Sequence, residues 1–170
     1  MTLLLLRTTN MENLLIKIYK NRKLSSFLSF FCHAISLTIA IFFFLVIGIQ
    51  IYREQYLAAI MLSLSSAVGF VLVTLLRRLI NAPRPYELYS FYEVLPKKKS
   101  GKSFPSRHAY SAFAIATLSF SVSLPLGIAL TVLAFLMCAS RVLTGIHFIR
   151  DVAAGGLIGV LSSVIGLILI

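Results

Sequence analysis

Carboxylates are scarce in this chain. One aspartate and four scattered glutamates stand against 16 lysines and arginines, too few and too dispersed for a carboxylate cage around a metal ion. Charge of either sign is thin: 12% of 170 residues, about half the share in soluble domains. Residues 24–52, 55–76, 152–170 and, with His108 counted as neutral, 108–140 carry no charge at all. So few polar side chains cannot cover a water-soluble core, which excludes a soluble globular protein. The two cysteines, Cys32 and Cys138, fall inside apolar stretches; they read as small core residues and say nothing about redox compartment. No internal repeat or second folded domain is evident. No cleaved signal peptide is expected, because Met1–Leu6 is too short for an apolar core.

What is present is hydrophobic length. A helix needs about 20 apolar residues to cross ~30 Å of hydrocarbon, so 27–51, 56–76 and 151–170 each suit one crossing. The stretch 108–140 holds Ser123-Leu124-Pro125-Leu126-Gly127 at its middle, where proline and glycine punctuate a helix. It reads as a hairpin of two spans, 108–123 and 126–140. The expected fold is therefore an all-α, multi-pass transmembrane bundle of about five spans. Its transmembrane domain covers 27–170, and an N-terminal segment, 1–26, contains an interfacial amphipathic helix over 12–24. The first ten residues are expected to be disordered. Residues 81–104 form the one long loop, with Tyr86, Tyr89, Phe91 and Tyr92 suited to headgroup depth.

The net charge of +11 comes without a nucleic-acid recognition motif, so anionic lipid headgroups are the simpler partner. Lys97, Lys98, Lys99 and Lys102 read as a solvated headgroup-binding run. His33, alone in the first span, reads as a helix-packing residue, and Gly155-x3-Gly159 as a close helix contact.

Parity brings separated segments together. If the hairpin leaves and returns, then Arg77–Pro85, Pro105–His108 and Ser140–Asp151 share one membrane face. They hold two of the three histidines and the chain's aspartate. Phosphoryl transfer needs positive charge on the equatorial oxygens, an in-line nucleophile and a proton for the leaving oxygen. Arg77, Arg84 and Arg141 supply guanidinium forks. Ser106 opens a helix whose first N–H groups face an anion, and His108 follows as a candidate general acid. His147 and Asp151, spaced i, i+4 on one helix face, allow the carboxylate to orient the imidazole for attack on phosphorus. His147 is expected at a wet helix end. Each residue also has a plainer reading: Arg77 and Arg78 as interfacial anchors, Arg84-Pro85 as a turn, Asp151 as a favourable charge at a helix start.

Arg77-x6-Arg84-Pro85, then Pro105-Ser106-Arg107-His108, then Ser140-Arg141-x5-His147-x3-Asp151 resembles the three-part signature of the type-2 phosphatidic acid phosphatase family. The resemblance implies a metal-independent lipid phosphatase with no cofactor. His147 would form a phosphohistidine, Asp151 would orient it, and His108 would protonate the leaving group and then activate water. Arg77, Arg84, Ser106, Arg107 and Arg141 would hold the phosphoryl oxygens. Two positions depart from the family: Arg77 replaces the usual lysine, and Arg107 replaces a glycine, where its side chain must crowd the pocket or add a phosphate contact. Undecaprenyl diphosphate, phosphatidic acid and phosphatidylglycerophosphate are the candidate substrates, the polyprenyl carrier first by family association. The alternatives are a non-catalytic protein that binds anionic lipid and, with less support, a transporter. Orientation divides the warrants. Parity puts 15 of the 16 basic residues on the site's face and Arg53 on the other, which makes that face cytoplasmic. The family's sites usually open outside, on six spans, and here the first span is missing or replaced by 12–24.

Overall fold

Residues 13–18, 20–88 and 100–170 are described by the computed structural model of the protein. The first ten residues, expected to be disordered, lie outside that range, as do Tyr89, Phe91, Tyr92 and Lys97–Lys99 of the long loop. All regular structure among the described residues is helical. A helical stretch at 13–18 turns Leu15 and Ile18 inward and leaves Leu14 and Lys17 exposed, the amphipathic pattern of a surface-lying segment.

Helix α1, Arg22–Tyr52, starts five residues before the expected span because Asn21 caps it, its side chain accepting from the Leu24 amide at 3.1 Å. Its 31 residues extend roughly 46 Å, enough to cross hydrocarbon and carry Arg22 and Lys23 to headgroup depth. Helix α2, Tyr56–Ile80, ends at Asn81, whose φ of 44° is left-handed, a conformation asparagine tolerates well. A single turn, α3 (Pro85–Leu88), precedes α4 (Arg107–Ser119), α5 (Leu124–Leu143) and α6 (Ile149–Ile168).

Five helices stand where five spans were expected, and α1, α2, α5 and α6 are long and apolar enough to cross a membrane. Helix α4 differs. Its 13 residues extend only about 20 Å, because the hairpin turn comes early. The amides of Phe120, Ser121 and Val122 each bond three residues back, to Thr117, Leu118 and Ser119, tightening the helix to a stop. Ser123 then caps α5 and Pro125 sits in its first turn. Alanines 109, 112, 114 and 116 and Tyr110 are all buried, so α4 is the bundle's central post, packed against α6, α5, α2 and α1. The outer surface is rich in exposed Leu, Ile, Val and Phe, a surface suited to lipid and not to water.

Between helices in lipid there is little hydrophobic drive, so close backbone packing carries association. Gly155 and Gly159 of α6 supply it: a Cβ at either would overlap the carbonyl oxygen of Ser106 or Tyr110. His33 corrects its sequence reading. It faces outward and its Nδ1 lies 2.7 Å from the Ser29 carbonyl of its own helix, so it is not buried against a second helix among the described residues. Gly159→Ala is expected to cost about 1–3 kcal/mol through overpacking, seen as a lower thermal midpoint in detergent. Gly48→Ala, with nothing within 4 Å of the added carbon, should leave that midpoint unchanged or raise it.

Candidate active site

The three segments predicted to share a face do meet, at the end of the bundle where α2 and α5 finish and α4 and α6 begin. Arg77 lies in the last turn of α2, buried, and its Nη1 donates to the Pro105 carbonyl at 3.0 Å. Beyond the Asn81 cap, the loop's two arms are laced together. Ser103 N–H donates to the Ala82 carbonyl at 2.9 Å, and Arg84 Nε donates to the Gly101 carbonyl at 3.0 Å. Glu87 accepts from the amides of Gly101 at 2.6 Å and Arg84 at 3.4 Å. Gly101 and Lys102 both take positive φ, 65° and 55°, and this corner turns Ser103 inward. Lys102 in that conformation stores strain that the surrounding bonds must hold.

Ser106 caps α4, its hydroxyl oxygen accepting from Ala109 N–H at 3.4 Å. The first amides of α4, on Arg107 and His108, then lack intrahelical acceptors, as at any helix start. Ser106 N–H donates to the Asp151 carbonyl at 2.9 Å, fastening the start of α4 to the start of α6. Arg141 is buried in the last turn of α5. Its Nη2 reaches Ser36 of α1 only at 3.5 Å, and its Nε is buried with no hydrogen-bond partner among the described residues. A buried, unpaired donor on a charged group is costly unless an anion meets it.

His147 departs from expectation twice. It is not on a helix: Gly145 takes a φ of 59° after α5, the amides of Ile146 and His147 turn back to the Arg141 carbonyl at 3.2 and 3.3 Å, and α6 begins only at Ile149. The pair meets across the turn leading into α6, not along one helix face. Nor is it wet, being 2% exposed beside an Asp151 that is fully buried. His147 Nδ1 stands 3.6 Å from Asp151 Oδ2, beyond hydrogen-bond range. Ser103, absent from the sequence reading, fills the gap. Its Oγ donates to Asp151 Oδ2 and lies 3.3 Å from His147 Nδ1. The only signal for it was its place just before Pro105-Ser106. Asp151 Oδ2 also accepts from Phe148 N–H at 3.0 Å, so this carboxylate sits at the start of α6 as its plainer reading has it.

The remaining predicted residues converge too. His108 lies in the electrostatic field of Arg141, His147, Arg107 and Arg77, and Arg84 acts on both Arg77 and His147. The guanidiniums of Arg77, Arg84, Arg107 and Arg141 thus share this end of the bundle, while Asp151 Oδ2 is held by Ser103 and Phe148 and its Oδ1 lies 3.7 Å from Arg150 Nε. Arg107 does not crowd the centre; it is exposed, its guanidinium 5.8 Å from the Phe70 ring centroid, a cation–π distance. With His108 it borders a cavity of ≈ 450 Å³ whose walls, including Ile39, Phe43, Phe70 and Met137, are apolar.

Residues 56–170 match the sequence model of the PAP2 superfamily. Over 126 residues, 71% of the chain, it is 31% identical to the bacitracin transport permease protein BcrC of Bacillus licheniformis, and the match spans 62% of that protein's length. The fold resembles the crystal structure of Aquifex aeolicus LpxE, with a TM-score of 0.69 and 32% identity over 91% of this chain and 93% of that one. It also resembles the first transmembrane PAP2-type phosphatidylglycerolphosphate phosphatase from Bacillus subtilis, with a TM-score of 0.70 over 94% and 83% of the two chains. Identity there is 22%, so that likeness is one of fold.

Burial pushes the His147 imidazole below the ordinary histidine value, and the Asp151 carboxylate offsets only part of this. A lowered value keeps the neutral, nucleophilic form populated further into acid. In detergent, the NMR titration of His147, assigned by its loss in His147→Ala, is expected to have a midpoint below about 6.5. A midpoint above that value would contradict the burial described here.

Proposed function

The chain belongs to the PAP2 superfamily, and we propose that it is an integral membrane phosphatase that removes phosphate from a lipid phosphate or diphosphate. The observation that carries this reading is a buried histidine–serine–aspartate cluster in the field of Arg77 and Arg84, next to His108, which with Arg107 borders a largely apolar cavity. The guanidiniums suit a polyanionic headgroup, and the cavity beside Arg107 and His108 suits the chain attached to it. His147 Nε2 attacks phosphorus while Arg77, Arg84 and Arg141, with the amides at the start of α4, neutralise the equatorial oxygens. His108, proton-bearing once the headgroup's negative charge faces it, protonates the leaving oxygen and afterwards takes a proton from the water that hydrolyses the phosphohistidine. Arginines do here what a metal ion does elsewhere, so the reaction is metal-independent. Arg107, at the rim, is placed to meet a second phosphate. A polyprenyl diphosphate such as undecaprenyl diphosphate heads the substrate candidates, with phosphatidic acid and phosphatidylglycerophosphate beside it.

A protein that only binds anionic lipid has no use for a buried imidazole coupled to a carboxylate, which weighs against that rival. The name of the Bacillus licheniformis relative raises transport, but the polar groups of this site gather at one end of the bundle and not along a path. We assign the catalytic unit to residues 27–170 and a membrane-surface role to the segment before it. We also place the site on the cytoplasmic face, following the excess of basic residues there.

Purified protein in detergent is expected to release phosphate from members of this lipid panel, to do so in EDTA and to be inhibited by vanadate. His147→Ala should lower turnover more than about 10⁴-fold, and Asp151→Asn less. Activity that survives in His147→Ala, or that stops in EDTA and returns with Mg²⁺, would sink the mechanism. For orientation, a cysteine at Ser100, with Cys32 and Cys138 replaced, should react with an impermeant thiol reagent only after cell lysis. Labelling of intact cells would place the site outside.

A further inference from the structure

Ser103 is fully buried and is anchored at its backbone by the bond to Ala82. Its hydroxyl has one proton, and toward the carboxylate oxygen Asp151 Oδ2, which can only accept, the hydroxyl donates it. With that proton committed to the carboxylate, the 3.3 Å contact between Ser103 Oγ and His147 Nδ1 can be completed only by a proton on Nδ1. The imidazole must donate, and the hydroxyl oxygen accepts. Asp151, 3.6 Å from Nδ1, does not reach the ring by itself.

Building on the phosphatase reading, we propose that Ser103 is a positioning residue that couples Asp151 to His147 and fixes the nucleophile in the Nδ1–H tautomer. The lone pair on Nε2 is then the one presented to phosphorus. In the transfer step the Nε2–P bond forms, the P–O bond to the leaving group breaks, and that oxygen takes its proton from His108. The Nδ1 proton does not move. The ring becomes a phosphorylated imidazolium whose positive charge the carboxylate stabilises through the intervening hydroxyl. Asp151 is thus an orienting charge acting at one remove, and the loop corner at Gly101–Lys102 exists to deliver that hydroxyl.

The test pairs kinetics with a spectrum that needs no substrate. In histidine-labelled protein in detergent, ¹⁵N shifts of His147 should report the Nδ1–H tautomer in the parent chain and a mixture with Nε2–H in Ser103→Ala. The same variant should lose roughly ten- to a hundred-fold in kcat, with KM changed less than about threefold. Should Ser103→Ala not fold, Ser103→Gly is read by the same two measures. Parental kcat in the variant overturns the proposal, as does a fall in kcat with the tautomer unchanged, which would mark a purely structural role. If even the parent chain releases no phosphate from any lipid, the phosphatase reading falls, and the tautomer comparison still decides whether Ser103 sets the ring.

Discussion

The amide of Ser106 donates to the carbonyl of Asp151, and directly behind that bond Gly155 leaves room for the Ser106 carbonyl. This backbone contact between the starts of α4 and α6 decides where everything else in the site can be. It sets Arg107 and His108 beside the His147 turn, and it brings Pro105 to where Arg77 can hold its carbonyl. A side chain at position 155 would separate the two helices and move the first amides of α4 away from the imidazole. In a bilayer no hydrophobic force between helices would compensate.

Around this contact the proposed reaction meets two solvent problems at once. A phosphate headgroup asks for charge, while its hydrocarbon asks for none, and the boundary between them runs through Arg107 and His108. On one side lie the guanidiniums of Arg77, Arg84 and Arg141; on the other lie Phe43, Phe70 and Ile39. Arg107 belongs to both, its stem at the site and its guanidinium over the Phe70 ring. In the proposed reaction that placement lets the residue follow the headgroup without entering the space where phosphorus reacts.

The fold was largely legible because charge is the dearest thing to place in hydrocarbon, so charge-free runs mark helices within a few residues. The site was legible because Arg77, Arg84, Arg141, His108, His147 and Asp151 gather at charge-bearing helix ends that parity puts together. What escaped is physical in kind. The length of α4 depends on a turn closed by backbone bonds at 117–122, which apolar composition does not encode. The burial of His147 follows from a left-handed glycine at 145 and a covering loop, so a spacing of four looked helical when it was not. Ser103 escaped because a lone serine has no chemistry until its neighbours are known. Arg107 was expected to crowd the pocket or add a phosphate contact, and its placement over the Phe70 ring escaped because an aromatic partner on another helix cannot be read from its own segment.

Helix α4 is too short to cross hydrocarbon by itself, and much of its surface is alanine fitted to neighbours. During synthesis it leaves the ribosome before α6, whose glycines it needs on one side. Until α6 arrives, the start of α4 has no Asp151 backbone to dock against and no Gly155 to pack on. A chain stalled or cut short before α6 is therefore not a weaker version of this protein but one in which the start of α4 has nothing to dock on.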